Sequence, residues 1–138
     1  MNIFVLGSGA REHSICWALK KSKNCKKLFC SPGNAGIEKI AICENIDLKK
    51  KEKVLNFCRK QSIGLVVIGP EDFLASGLSD YLIENGIRTF GPTKKASKLE
   101  TSKSFAKSFL IKNGISTPVH KEFNSFSNAL IFLKRANF

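Results

Sequence analysis

Three short apolar runs in this chain each break into a turn built on glycine. Asn2-Ile3-Phe4-Val5-Leu6 breaks into Gly7-Ser8-Gly9-Ala10-Arg11-Glu12-His13, the run near Lys27 to Cys30 into Ser31-Pro32-Gly33-Asn34, and Ile63 to Ile68 into Gly69-Pro70-Glu71. Continuous apolar runs suit strands buried on both faces, as in a parallel sheet. If each run is such a strand, the three turns fall at one edge of the sheet, where open α/β folds bind their ligands.

The rest of the chain alternates in the same way. A helix is expected from about Arg11 to Lys21, a weak strand near Lys39 to Cys43, and a helix from Glu52 to Gln61 with Val54, Leu55, Phe57 and Cys58 on its apolar face. Ile63 to Ile68, rich in β-branched residues, is the best candidate for a central strand. One amphipathic helix from Phe73 to Asn85, stopped by Gly86, precedes a short strand from Arg88 to Phe90. Strands and helices alternating over short connections imply right-handed crossovers and a doubly wound α/β sheet.

A boundary is expected after Gly91-Pro92-Thr93, giving domains 1–100 and 101–138. Lys94 to Leu99 reads as a short helix. Ser102 to Asn113 reads as a longer one, ended by Gly114, with Phe105, Ala106, Phe109 and Leu110 as a core-facing stripe. Ile115 to Glu122 reads as an extended strand interrupted by Pro118, and Ser125 to Ala136 as a last helix capped by Ser125.

Composition narrows the function classes. The 138 residues, 43% hydrophobic, can bury one sizeable core. No apolar stretch approaches the ~18 residues of a membrane span, and the short apolar start lacks a basic leader, so a cytoplasmic protein without a membrane partner is expected. The five cysteines are odd in number and contain no Cys-x-x-Cys pair, which argues against a disulfide framework and a zinc site. The formal charge of +12 invites a nucleic-acid reading. Its distribution opposes one: the only dense run is Lys49-Lys50-Lys51-Glu52-Lys53 at a helix start, and no aromatic-interleaved RNA-binding motif occurs. No nucleic-acid partner is expected.

The first turn has the makings of a phosphate cradle. Its glycines let the backbone approach a ligand, and a helix N-terminus supplies free amides and the positive end of a dipole. Arg11 adds a bidentate charge. A dinucleotide fits poorly, because its fingerprint wants glycine where Glu12 stands and an acid after the second strand, where Ser31-Pro32-Gly33-Asn34 follows instead.

GSGAREH at 7–13, SPGNAG at 31–36, VVIGPE at 66–71, FGPT at 90–93 and LETSKSFAKSFL at 99–110, in this order and spacing, resemble the amino-terminal portion of the phosphoribosylamine-glycine ligase family, the glycinamide ribonucleotide synthetases. The resemblance covers nearly the whole chain. Ala10 stands where that family usually has glycine. The resemblance implies a ligase of purine biosynthesis that joins glycine to 5-phosphoribosylamine at the expense of ATP, by way of glycyl phosphate. It implies a Rossmann-like pre-ATP-grasp domain followed by the start of an ATP-grasp domain. The family's nucleotide loop and its magnesium- or manganese-binding carboxylates would fall beyond Phe138, so this chain alone is not expected to catalyse the ligation and holds no catalytic or metal residue of its own. The rivals are another purine-pathway ATP-grasp ligase and a non-enzymatic sugar-phosphate-binding module.

The resemblance nominates Gly7, Gly9, Arg11, Glu12, His13, Pro32, Gly33, Asn34, Gly69, Pro70 and Glu71 for the substrate and Lys103 for the ATP phosphates. Each has a plainer alternative. Arg11 could be a solvated surface group, and Glu12 could reach back to cap helix amides. His13 suits positioning better than proton transfer, since no partner carboxylate is evident. Asn34 offers both donor and acceptor, but Pro32 to Asn34 could be an ordinary turn. Glu71 could bind ribose hydroxyls or the substrate amine, or simply be an acid at a helix start. Lys103 could be one more helix-surface lysine beside Lys107.

Overall fold

The computed structural model describes residues 1–136; Asn137 and Phe138, the end of the expected second domain, lie outside the described residues. The chain divides into two compact units, the first Met1–Thr101 and the second from Ser102 on.

The first unit is a five-stranded parallel sheet with the order β3-β2-β1-β4-β5. Its strands are β1 (Asn2–Gly7), β2 (Leu28–Pro32), β3 (Ile42–Cys43), β4 (Ile63–Ile68) and β5 (Thr89–Phe90). It is a Rossmann-like α/β fold. β1 is the middle strand, with β2 on one side and β4 on the other, and β4 is itself interior, paired with β1 and β5 as its β-branched run led one to expect.

Successive β1 side chains point to opposite faces, and each face builds its own core. Phe4 and Leu6 join Phe29, Val66 and Ile68 under α2 (Lys51–Lys60), α3 (Glu71–Ala75) and α4 (Leu78–Glu84), through Val54, Leu55, Cys58, Leu74, Leu78 and Leu82. Phe57 is half-buried against this cluster, its ring 4.7 Å from that of Phe4. Ile3 and Val5 join Leu28, Cys30 and Val67 on the other face, under Cys16 of α1 (Ala10–Lys20) and Ile37 of a 3-10 turn (Ile37–Lys39).

The single helix expected from Phe73 to Asn85 is two helices. Gly77, at φ +80°, breaks it between α3 and α4, and Lys51 Nζ donates to the Ser76 carbonyl at 2.8 Å. Gly86 does stop α4 in the left-handed region, its successor Ile87 donating its amide to the Leu82 carbonyl at 2.9 Å. α5 (Lys94–Thr101) closes the unit, with Ser79 Oγ donating to the Gly91 carbonyl at 3.1 Å beneath it.

The second unit holds α6 (Lys103–Lys112), capped by Ser102, and α7 (Phe126–Arg135), capped by Ser125. The stretch 115–122 is irregular and not a strand, for it has no neighbour to pair with among the described residues. Lys107 Nζ ties it down instead, donating to Thr117 Oγ1 at 2.7 Å and the Pro118 carbonyl at 3.0 Å. Phe105 and Phe109 are not the core anchors expected: their rings stack at 6.3 Å yet each stays 40% exposed. Two ten-residue helices and one loop supply too little apolar surface to enclose them. No helix of the described residues is long and apolar enough to cross a membrane.

Candidate functional site

Strand register brings the three glycine turns together. Gly7 lies opposite Pro32, and Leu6 opposite Ile68, so β1, β2 and β4 run out at the same level. After β3 the chain crosses β1 to reach β4, which makes the end of β1 the point where the strand order reverses. Open α/β sheets present a crevice there.

Backbone bonds stitch the turns to one another. The Gly33 amide donates to the Gly7 carbonyl at 3.2 Å, and the Gly69 amide to the Leu6 carbonyl at 3.4 Å. Gly7 turns at φ +126°, a conformation L side chains rarely adopt. Its carbonyl also accepts the Cys30 thiol at 3.3 Å. Contact with Cys16 and then burial push the Cys30 thiol up, which keeps it protonated and a donor. Pro32 sits exposed at the tip of β2, after a cis peptide bond.

Asn34 spends its amide on the chain itself. Nδ2 donates to the Ser8 carbonyl at 2.7 Å, linking the second turn to the first, while Oδ1 accepts the amides of Gly36 and Ile37, each at 2.9 Å. His13 is half-buried against the same loop, where a Cβ built on Gly36 would stand 2.9 Å from its Nδ1.

Arg11 and the two glutamates form the charged part of the crevice. Arg11 Nε donates to Glu12 Oε1 at 2.9 Å, and Nη2 reaches Glu71 Oε2 at 3.4 Å. Arg11 and Glu71 are more than half exposed, whereas Glu12 is buried. Glu12 Oε2 accepts the Gly9 amide at 2.8 Å, the acidic half of a capping box at the start of α1. The Glu12 hydrogen bond first, and Glu71 after a small opposing cost of burial, hold the Arg11 guanidinium above its ordinary value. Glu71 begins α3 behind Pro70; its own backbone amide first, then Arg11, holds its carboxyl below the ordinary value. The site thus offers a cation with outward-facing nitrogens, a helix N-terminus and an exposed carboxylate, which suits a ligand carrying both an anion and hydroxyl or amine groups.

Lys103 is the first residue of α6, in the second unit. With Ser104, Lys107, Lys121 and Asn124 it lines a cleft of about 390 Å3. Three contributors were not singled out from sequence: Ser8 through its carbonyl, Gly36 beside His13, and Cys30 beneath Gly7. Gly36 lies within the SPGNAG motif and was open to notice; a buried thiol donating to a carbonyl leaves no sequence signal.

A five-stranded parallel sheet whose glycine turns gather at its switch point defines a Rossmann-like domain. Residues 1–100 match the family described as phosphoribosylglycinamide synthetase, N domain, and the chain belongs to that family. It is 38% identical to a phosphoribosylamine-glycine ligase of Clostridium acetobutylicum over 138 residues, all of this chain and 33% of that one. It is 44% identical to the trifunctional purine biosynthetic protein adenosine-3 of Gallus gallus, over 99% of this chain and 14% of that one. The crystal structure of phosphoribosylamine-glycine ligase from Thermotoga maritima superposes with a TM-score of 0.70 at 27% identity, covering 99% of this chain and 31% of that one. The chain therefore spans about a third of the length of the ligases it matches.

Proposed function

We propose that this chain is the opening portion of an ATP-dependent ligase joining glycine to 5-phosphoribosylamine in de novo purine biosynthesis, in the cytoplasm, and that its crevice takes the sugar phosphate. One observation carries the reading: turns from three parallel strands converge on Arg11 and Glu71 at the switch point. In this pose the phosphate meets the Arg11 Nη groups and the first-turn amides of α1, which lack carbonyl partners within the helix. Glu71 is within reach of the ribose hydroxyls or the amine. Gly7, Gly9 and Gly69 leave the room that Glu12 fills and Gly33 the room that Cys43 fills, and their turns, with Pro32, Asn34, Pro70 and His13, shape the walls.

The chain's own contribution to the reaction is positioning: it holds the amine nucleophile where an activated glycine can meet it. ATP supplies the activation, as glycyl phosphate, with Lys103 near its phosphates. A divalent metal does not fit the described residues, among which no three His, Cys, Asp or Glu side chains gather.

Ribose 5-phosphate is the direct probe. Titrated into the folded chain and followed by NMR, it is expected to shift the amides of 7–13, Gly69 and Glu71. Arg11→Ala is expected to weaken binding at least about tenfold, the loss of a charge-assisted phosphate contact. Absent binding, or binding indifferent to Arg11→Ala, overturns the reading.

A further inference from the structure

Three glycines from two turns make room for one side chain. A Cβ on Gly7 would stand 2.6 Å from Glu12 Cγ, and one on Gly9 2.9 Å from Glu12 Oε2; one on Gly69, beyond the end of β4, would collide with Glu12 Oε1. Glu12 fills the slot they leave and is 3% exposed. Both of its oxygens are engaged, one by the Gly9 amide and one by Arg11 Nε. A buried carboxylate is costly unless paired, and this one stands beside a crevice suited to an anion, whose charge it opposes. Its position has to be offset by what it holds.

We infer that Glu12 is a positioning residue for the sugar phosphate, acting through Arg11 and the Gly9 turn without touching the ligand. The inference rests on the reading of the crevice as a sugar-phosphate site. By taking Nε, Glu12 fixes the plane of the guanidinium and leaves both Nη groups for the ligand, one of which already reaches toward Glu71. By taking the Gly9 amide, it sets the turn at the start of α1 whose remaining amides face the phosphate.

The test is a double-mutant cycle on the full chain, with ribose 5-phosphate as the probe and NMR titration carried to millimolar ligand. Glu12→Gln keeps the side-chain volume but sets an NH2 group against either the Gly9 amide or Arg11 Nε, two donors facing one another. It is expected to weaken binding about tenfold when Arg11 is present, and only about two- to threefold when Arg11 is already lysine, which keeps a charge but has no Nε fork to orient, so that the part acting through the Gly9 turn is all that remains. An equal factor in both backgrounds means that the carboxylate merely holds the fold, and overturns the inference while the sugar-phosphate reading stands. Unchanged affinity in Glu12→Gln does the same. Absence of binding by the unaltered chain overturns the reading and the inference with it. Gly69→Ala guards against a variant that does not fold, since it keeps the carboxylate and displaces it from the slot. Its backbone is not in the left-handed region, so alanine adds no backbone strain and acts only by pushing the carboxylate aside, and severalfold weaker binding that again shrinks with Arg11→Lys is expected. Full affinity in a folded Gly69→Ala chain overturns the inference.

Discussion

Arg11 serves two carboxylates in different surroundings, and its hold on the exposed one can be read by titration. Glu71 is more than half exposed, yet its own amide and Arg11 favour its ionised form. With the folded value lowered, whatever Glu71 adds to stability is complete above the unfolded value and is lost as pH falls through the folded one. Arg11→Ala is expected to move the Glu71 midpoint up only part of the way to the ordinary carboxylate value, because the backbone hydrogen bond, the larger cause, survives. Carbon-detected NMR of the Glu71 carboxyl measures this, and a full return to the ordinary value would assign the whole shift to Arg11. At this scale the sequence showed a residue's chemistry more readily than its partners. Asn34 was legible as a donor and acceptor, but its amide is directed at Ser8, Gly36 and Ile37, and only the folded loop shows that.

Elements were legible where periodicity and stop signals agreed. α2 and α6 stand within a residue or two of their expected bounds, and Gly86 and Gly114 both end helices with positive φ. The break at Gly77 was hidden because Leu74, Leu78 and Leu82 keep a helical spacing across it, so the apolar pattern reads through. Gly77 and Gly86 share φ +80°, but a Cβ on Gly77 would meet Lys94 Cδ at 3.3 Å and Lys51 Nζ at 3.6 Å, whereas nothing lies within 4 Å at Gly86. Both alanine substitutions therefore carry the cost of a left-handed L residue, about 1–2 kcal/mol. Gly77→Ala is expected to cost more, since it also crowds two lysine stems and disturbs the Lys51 bond to Ser76. Urea denaturation of the two variants side by side measures the difference. Equal costs would show that the lysines simply swing away.

The scale of the whole molecule separates what the chain can hold by itself from what it cannot. The doubly wound sheet was legible because glycine turns follow apolar runs at matching intervals, a pattern parallel strands demand. The state of the second unit was not, because the stripe of Phe105, Ala106, Phe109 and Leu110 has the spacing of a buried face whether or not anything buries it. In the structure both apolar cores lie wholly within the first unit, while α6 and α7 bury no residue. Amide protection tracks burial and packing, and the most protected amides report the global unfolding free energy. Hydrogen exchange on the full chain is accordingly expected to find its slowest amides in β1 and β4, with Phe4, Val5, Val66 and Val67 among them. Amides of α6 and α7 are expected to exchange faster by orders of magnitude, through local opening that leaves the sheet intact. Comparable protection in the two units would mean that the second shares the cooperative core of the first. The exposed faces of α6 and α7 would then be buried in solution, and the first unit could not be treated as the one that folds by its own means.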